Sequence, residues 1–466
     1  MIERLPSGDT KLDRVLGGGL PASSITIVAG PPGSGKTILA HQYVFENATQ
    51  AKPALYIATV SEPFDKILRY GQSLAFFDRK AVGETVFYED LGTILASRGL
   101  TAALDRMDHL LKEHRPGLIV IDSFSAFRDF ATDDGEFRRF LHELAARLSA
   151  FPTTSFWIGE YEGGDDAAHS PEFTIADAIL YLSARRISER ELREFEVRKL
   201  RGSDFLMGRH AYRLSSEGVD VFPRLADPAE EARYDADGAG RISSGIKALD
   251  DMLADGYWPG ASTLVAGPSG CGKTLIGLHF VFGGAQHGEP GLIATLQENP
   301  TQLERVVRSF DWSLADDHVD VMYRSPVDIY IDQWFYELLE RIERGGVRRV
   351  LIDSLDDLGF TTNDEVRFRE YMYSLVQRCA RNGVSIMMTL EVPDIARVTH
   401  LSDFNISHLA DNVLLLQYVW AGSRVRRAIT VLKARASALE PTVREFEIAP
   451  DGIVLGDELE YGRDVG

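Results

Sequence analysis

Two short stretches of this chain have the residue types and spacing needed to hold a polyphosphate. The first is Gly30-Pro31-Pro32-Gly33-Ser34-Gly35-Lys36-Thr37, and the second is Gly267-Pro268-Ser269-Gly270-Cys271-Gly272-Lys273-Thr274. Both satisfy G-x-x-x-x-G-K-[ST], and each lies between an apolar strand-like run and a helix-like one, the context that makes the pattern a site. Glycines let the backbone curl until its N–H groups point inward at phosphate oxygens. The helix that follows adds its positive end. Lys36 and Lys273 are expected to reach the β- and γ-phosphates, and the hydroxyls of Thr37 and Thr274 to hold Mg2+. The nucleotide-binding set is therefore Gly30, Gly33, Ser34, Gly35, Lys36 and Thr37 in one loop, and Gly267, Gly270, Cys271, Gly272, Lys273 and Thr274 in the other.

Further chemistry-bearing residues recur in both halves. Asp122 and Asp353 each end an apolar strand, where a carboxylate helps hold the Mg2+ shell; a strand-end Asp also caps a following helix. Hydrolysis needs a group that orients or deprotonates water. Thr59-Val60-Ser61-Glu62-Pro63 and Thr295-Leu296-Gln297-Glu298-Asn299-Pro300 each offer one carboxylate, Glu62 or Glu298, which otherwise reads as an ordinary loop residue. Lys199/Arg201 and Lys433/Arg435 lie on late strands at i, i+2 spacing, which puts both cations on one face. Such a pair stabilises charge on a transferring phosphoryl group, or forms a solvated basic face.

These residues need a scaffold built twice. Ser7-Gly8-x-x-x-Leu12-Asp13-x-x-Leu16-x-x-Gly19 recurs as Ser244-Gly245-x-x-x-Leu249-Asp250-x-x-Leu253-x-x-Gly256, at the same 237-residue offset as the two loops. Leu118–Ser123 recurs as Val350–Ser354, and Lys199-Leu200-Arg201 as Lys433-Ala434-Arg435. Matched landmarks in matched order mean two copies of one fold. Acidic, Pro/Gly-punctuated sequence at 226–240 reads as a linker, so domains are expected over 1–230 and 231–466. Strands are expected at Ile25–Ala29, Ala54–Thr59, Leu118–Asp122, Phe156–Gly159 and Ala178–Leu182, and again at Thr263–Ala266, Leu292–Thr295, Val350–Asp353, Ser385–Leu390 and Val413–Gln417. Nearly continuous apolar strands alternating with helices predict an α/β fold with a mostly parallel sheet flanked by helices. Each copy is expected to finish in a polar-alternating pair of strands around its Lys-x-Arg segment. Ligands on such sheets sit at the C-terminal strand ends.

The bulk numbers narrow the class. At 466 residues the chain has room for two full cores. A net charge of −20 repels nucleic acid and anionic membrane at long range. The two cysteines, Cys271 and Cys379, make no disulfide framework and fit a reducing cytoplasm. No apolar run is long enough for a membrane span, and Met1–Pro6 does not read as a signal peptide. No His/Cys/Asp spacing makes a zinc site, and His400 and His408 read as surface or packing residues.

Together these residues resemble the KaiC family of double-domain RecA-like P-loop ATPases, over essentially the whole chain. The resemblance rests on both phosphate loops, the repeated leader, Lys199-Leu200-Arg201-Gly202, Asp411–Val419 and Arg444-Glu445-Phe446. It implies two tandem RecA-like domains in a homohexamer of two stacked rings, with ATP and Mg2+ between subunits. Lys199/Arg201 and Lys433/Arg435 would then reach the γ-phosphate held by the next subunit. It also implies ATPase activity in the first ring, autokinase and autophosphatase activity in the second, and a bacterial clock or timing role with a KaiB-like or signalling partner.

Three departures qualify what is implied. Where the family has two consecutive glutamates after the second strand, the first is Ser61 in one copy and Gln297 in the other. The family's adjacent Ser-Thr acceptors are here Ser407-His408, leaving Ser407 as the phospho-acceptor candidate or simply a turn cap. The chain stops soon after Asp457-Glu458-Leu459-Glu460, short of the family's regulatory tail, so KaiA-type regulation is not expected. Two other functions share the core fold. One is an ATP-dependent assembly switch with little turnover, which Ser61 and Gln297 favour. The other is a recombinase or helicase, which the acidic charge disfavours.

Overall fold

In a computed structural model of the chain, the phosphate-loop strand Ile25–Gly30 is buried along its whole length. Its side chains divide by parity, with Ile25, Ile27 and Ala29 in one core and Val28 in another. The same split holds for Leu55 and Ile57 against Ala54, Tyr56 and Ala58. A strand with apolar residues on both faces needs cover on both faces, and the intervening helices supply it. The structure describes residues 3–59, 64–161, 170–187, 190–225, 240–316, 318–362, 364–392, 408–421, 423–437, 442–450 and 452–459.

The contacts divide the chain into two units, Met1–Arg224 and Leu225–Gly466; the expected boundary near residue 230 lies outside the described residues. The first unit opens with a small antiparallel pair, β1 (Arg4–Leu5) and β2 (Leu20–Pro21). Its main strands are β3 (Ile25–Gly30), β4 (Ala54–Ala58), β5 (Val86–Asp90), β6 (Leu118–Asp122), β7 (Thr154–Glu160), β8 (Ala178–Ile187), β9 (Arg190–Leu200), β10 (Arg209–Ser215) and β11 (Gly218–Phe222). They lie in the order β5-β4-β6-β7-β3-β8-β9-β10-β11. The pairs from β5 through β8 are parallel. Those from β8 through β11 are antiparallel.

The second unit repeats this plan with β12 (Ser262–Gly267), β13 (Gly291–Thr295), β14 (Val319–Tyr323), β15 (Arg349–Asp353), β16 (Ser385–Glu391), β17 (Asn412–Ala421), β18 (Arg424–Ala434), β19 (Val443–Ala449) and β20 (Gly452–Glu458). Their order is β14-β13-β15-β16-β12-β17-β18-β19-β20. These are two mostly parallel nine-stranded α/β sheets flanked by helices, the architecture of tandem RecA-like domains.

All ten strands expected from apolar runs are present, several of them longer than expected. The edge strands β5 and β14 were not anticipated. Both are largely half-buried or exposed, so neither makes a continuous apolar run. The expected closing pair of strands is instead three strands, β9–β11 and β18–β20, which extend each sheet antiparallel beyond β8 and β17.

The repeated leader has a local structural purpose. Asp13 Oδ1 accepts from the Ser7 amide at 2.8 Å, and Asp250 Oδ1 from the Ser244 amide at 2.6 Å. Each Ser-Gly-x-x-x-Leu-Asp segment thus closes on itself by satisfying a buried backbone donor.

Candidate functional site

Each phosphate loop runs from the C-terminal end of a central strand into a helix. Gly33 and Gly35 hold φ of 72° and 90°, and Gly270 and Gly272 hold 71° and 109°. Glycine takes such values without strain, and few other residues do. Gly35 and Gly272 then cap the helices Lys36–Asn47 and Lys273–Ala285 with no side-chain cap bond. The helix-end N–H groups are therefore not claimed by a capping side chain. Nothing lies within 4 Å of a Cβ built on Gly33. The Ser34 hydroxyl oxygen is buried and makes no hydrogen bond. A curled, donor-rich cradle with an orphaned hydroxyl fits a polyphosphate.

Lys36 Nζ donates to the Gly30 and Pro31 carbonyls at 3.0 and 2.8 Å. Lys273 Nζ does the same to Gly267 and Pro268, at 2.9 Å each. Burial lowers the Lys36 pKa, while Glu160 and Asp122 oppose the shift. Glu160 ends β7 beside Gly30, as Glu391 ends β16 beside Gly267.

The strand-end carboxylates stand against the loop threonines. Thr37 Oγ1 donates to Asp122 Oδ2 at 2.8 Å, and Thr274 Oγ1 to Asp353 Oδ2 at the same distance. A hydroxyl and a carboxylate in contact beside a phosphate cradle form a hard oxygen donor set suited to Mg2+. Burial raises the Asp353 pKa, partly offset by hydrogen bonds from Thr389 and Thr274.

Of the two carboxylates assigned to water, Glu298 is described and Glu62 lies outside the described residues. Glu298 turns inward while its neighbour Gln297 is exposed. Its Oε2 is buried without a partner. Burial raises the Glu298 pKa, and the Asp353 charge adds to the rise. Its amide is anchored to Thr295 Oγ1 at 3.2 Å. Ser407 also lies outside the described residues, and His408 is exposed.

The two cations of each basic pair lie close enough for their charges to interact: after burial, Arg201 lowers the Lys199 pKa and Arg435 that of Lys433. β9 ends at Leu200 and β18 at Ala434, so Arg201 and Arg435 lie just beyond their strands. Both strands are also bulged, opposite Ile179/Leu180 and Val413/Leu414. Within its own unit Lys199 Nζ donates to the Phe173 and Thr174 carbonyls at 3.2 and 3.3 Å, and Lys433 Nζ to Ala410 at 2.6 Å. Arg201 pairs with Asp177 at 3.3 Å and Arg435 with Asp411 at 3.1 Å.

Strand direction sets where these cations sit. β8 is parallel to β3 and β9 runs back along β8. The Arg201 amide bonds Asp177, whose own amide bonds Ile25 at the start of the phosphate-loop strand. Gly30 lies five residues further on, about 16 Å at strand rise. The cations thus lie at the opposite end of the sheet from their own loop. The same register holds in the second unit, through Asp411 and Ser262.

Several site residues gave no motif signal. Tyr56 Oη donates to Asp122 Oδ2 at 2.6 Å, and Thr389 donates to Asp353 Oδ1. Arg193 Nη1 donates to the Gly33 carbonyl at 2.8 Å, Tyr212 Oη to Ser34 at 2.5 Å, and Tyr418 Oη to Ser269 at 3.3 Å. The available hint was a polar-tipped residue inside a buried strand, Tyr56 in ALYIA and Thr389 in SIMMTLE, where the hydroxyl must find a partner.

The fold and loops define a tandem pair of RecA-like P-loop domains. A family model described as the KaiC ATPase matches residues 5–226 and again 242–460. The chain is 28% identical to the circadian clock protein KaiC3 of Synechocystis sp., over 98% of this chain and 92% of that protein. It is 26% identical to the circadian clock oscillator protein KaiC of Rippkaea orientalis, over 96% and 87% respectively. The oscillator protein KaiC of Prochlorococcus marinus is 28% identical, over 98% and 93%. The chain belongs to the KaiC family of ATPases. No helix among the described residues is long and apolar enough to cross a membrane.

Proposed function

We propose that this protein binds ATP at both phosphate loops and hydrolyses it slowly at the subunit interfaces of a homohexameric ring in a bacterial timing or signalling system. The observation that carries this reading is the position of Arg201 and Arg435. Each lies level with the start of its own phosphate-loop strand, bonded through Asp177 or Asp411. A cation there serves a phosphate only if a neighbouring copy brings its loop to it, which a head-to-tail ring does.

In this reading Lys36 and Lys273 leave their loop carbonyls for the β- and γ-phosphates. Thr37 with Asp122, and Thr274 with Asp353, hold Mg2+. When bound, Mg2+ would neutralise charge on the β- and γ-phosphates. Glu298, with Glu62 as its counterpart, orients the attacking water and takes its proton. Lys199/Arg201 and Lys433/Arg435 close over the γ-phosphate of the adjoining protomer. Ser407 is the candidate acceptor for autophosphorylation, and a KaiB-like or signalling protein is the candidate partner.

A second reading, an ATP-dependent assembly switch with little turnover, is favoured by the exposed Gln297. An amide cannot accept a proton as a carboxylate does. Phosphate release by wild type, Glu62→Gln and Glu298→Gln separates the two readings. A clear wild-type rate that falls on substitution supports the enzyme; ring formation with ATP but no measurable release supports the switch. Native mass spectrometry in Mg-ATP that finds only a nucleotide-free protomer overturns both.

A further inference from the structure

The two halves steady their metal-side carboxylates from opposite flanks. In the first unit the second hydroxyl on Asp122 is Tyr56 from β4, at 2.6 Å. In the second unit the second hydroxyl on Asp353, beside that of Thr274, is Thr389 from β16. β4 and β7 flank β6 in one sheet; β13 and β16 flank β15 in the other. Tyr56 pairs with Val120, two residues before Asp122, and the matching residue on β13 is Ile293, opposite Leu351. Thr389 lies beside Val265, and the matching residue on β7 is Ile158, beside Val28. Each unit therefore carries one hydroxyl donor and one isoleucine at these two positions, with the assignments exchanged.

Both hydroxyl residues are wholly buried. Burying a hydroxyl is unfavourable unless it is hydrogen-bonded, so each is committed to its carboxylate. Tyr56 is also braced by the phosphate-loop helix. The His41 ring stacks on it at 4.6 Å with an interplanar angle of 16°, and His41 Nδ1 lies 2.8 Å from the Thr37 carbonyl oxygen. One connected group thus joins Asp122, Tyr56, His41 and Thr37.

We infer that Tyr56 and Thr389 are positioning residues, each orienting the carboxylate of its own unit toward a divalent cation, so that the two sites hold metal independently and unequally. The inference rests on the metal role proposed above for Asp122 and Asp353. Groups that orient a ligand carboxylate typically contribute about 10–100-fold to metal affinity.

The test is Mn2+ binding, followed by electron paramagnetic resonance, to the full chain saturated with ADP. Tyr56→Phe keeps the ring and removes only the hydroxyl, and is expected to weaken one class of Mn2+ site about tenfold while leaving the other. Thr389→Val is expected to weaken the other class. Adding Ile158→Thr to Tyr56→Phe supplies a donor from the opposite flank and is expected to restore part of the lost affinity, which a purely structural role for Tyr56 does not predict. Unchanged Mn2+ affinity in both single variants, or equal loss from both classes in each, overturns the inference and leaves the nucleotide sites intact. A wild-type chain that binds ADP but no Mn2+ overturns the metal assignment itself.

Discussion

Thr37 and Asp122 stand 85 residues apart in the chain and are joined by a 2.8 Å hydrogen bond. Thr274 and Asp353, 79 residues apart, repeat the contact at the same distance. In each case a helix-start hydroxyl meets the end of a neighbouring strand because both lie at the C-terminal edge of one parallel sheet. The repetition of this contact makes each half a candidate nucleotide site in its own right, and the halves can be tested separately.

The basic pairs predict complementation between defective chains. Lys36→Ala removes the loop cation, and Arg201→Ala removes the cation at the far end of the sheet. If a site combines one protomer's loop with the next protomer's arginine, each variant alone has disabled first-unit sites. Rings mixed in equal amounts regain intact sites at roughly a quarter of interfaces. First-unit hydrolysis is expected to recover on mixing, in a background carrying Lys273→Ala to silence the second unit. No recovery on mixing, with mixed rings shown by mass spectrometry, counts against a shared site.

Glu298 predicts an acid limb of unusual position. A base acts only when ionised, and burial plus the Asp353 charge raise its pKa above the ordinary glutamate value. Turnover in the second unit should therefore fall on acidification at a higher pH than an exposed carboxylate would give. Glu298→Gln should lower that turnover by about 10²–10⁴-fold and abolish this limb. A pH–rate profile of the Lys36→Ala chain, with and without the substitution, measures both effects.

Two buried histidines predict acid sensitivity of the fold. Burial lowers the pKa of His41 and of His279 to about 4 from the usual 6.5. Between those values the unfolded chain binds protons that the native chain does not, so stability rises with pH through the window. The contribution is complete above pH 6.5 and is lost as pH falls to about 4. Each histidine contributes at most about 3 kcal/mol. His41→Phe retains an aromatic ring against Tyr56 and should flatten the dependence of the urea midpoint on pH between 6.5 and 4.5. An unchanged slope would remove His41 from the account.

Arg349 predicts a unit-specific weakness. Its side chain is only 3% exposed and pairs with Glu289 at 2.6 Å. It also donates to the Ser243 and Phe280 carbonyls at 2.7 and 2.9 Å, tying the leader to the phosphate-loop helix. Arg349→Met strands these acceptors and should destabilise the second unit by about 2–4 kcal/mol. The first-unit register holds Leu118 instead, so urea unfolding should show one transition shifted and the other not.

The sequence alone determined a great deal here. A 237-residue offset joined the leaders and phosphate loops, and apolar runs marked the buried strands because two-sided burial leaves little room for polar residues. Glycine spacing marked the cradles because few other residues tolerate those φ values. Edge strands β5 and β14 carry a weaker signal because neither is buried along its whole length. What tertiary structure alone decided was direction and neighbourhood. The reversal of β9 along β8 carries Arg201 away from its own loop, and strand order sets Tyr56 beside the strand of Asp122 and Thr389 beside that of Asp353. Those relationships depend on which strands lie side by side, a property of the folded sheet that no local spacing of residues encodes.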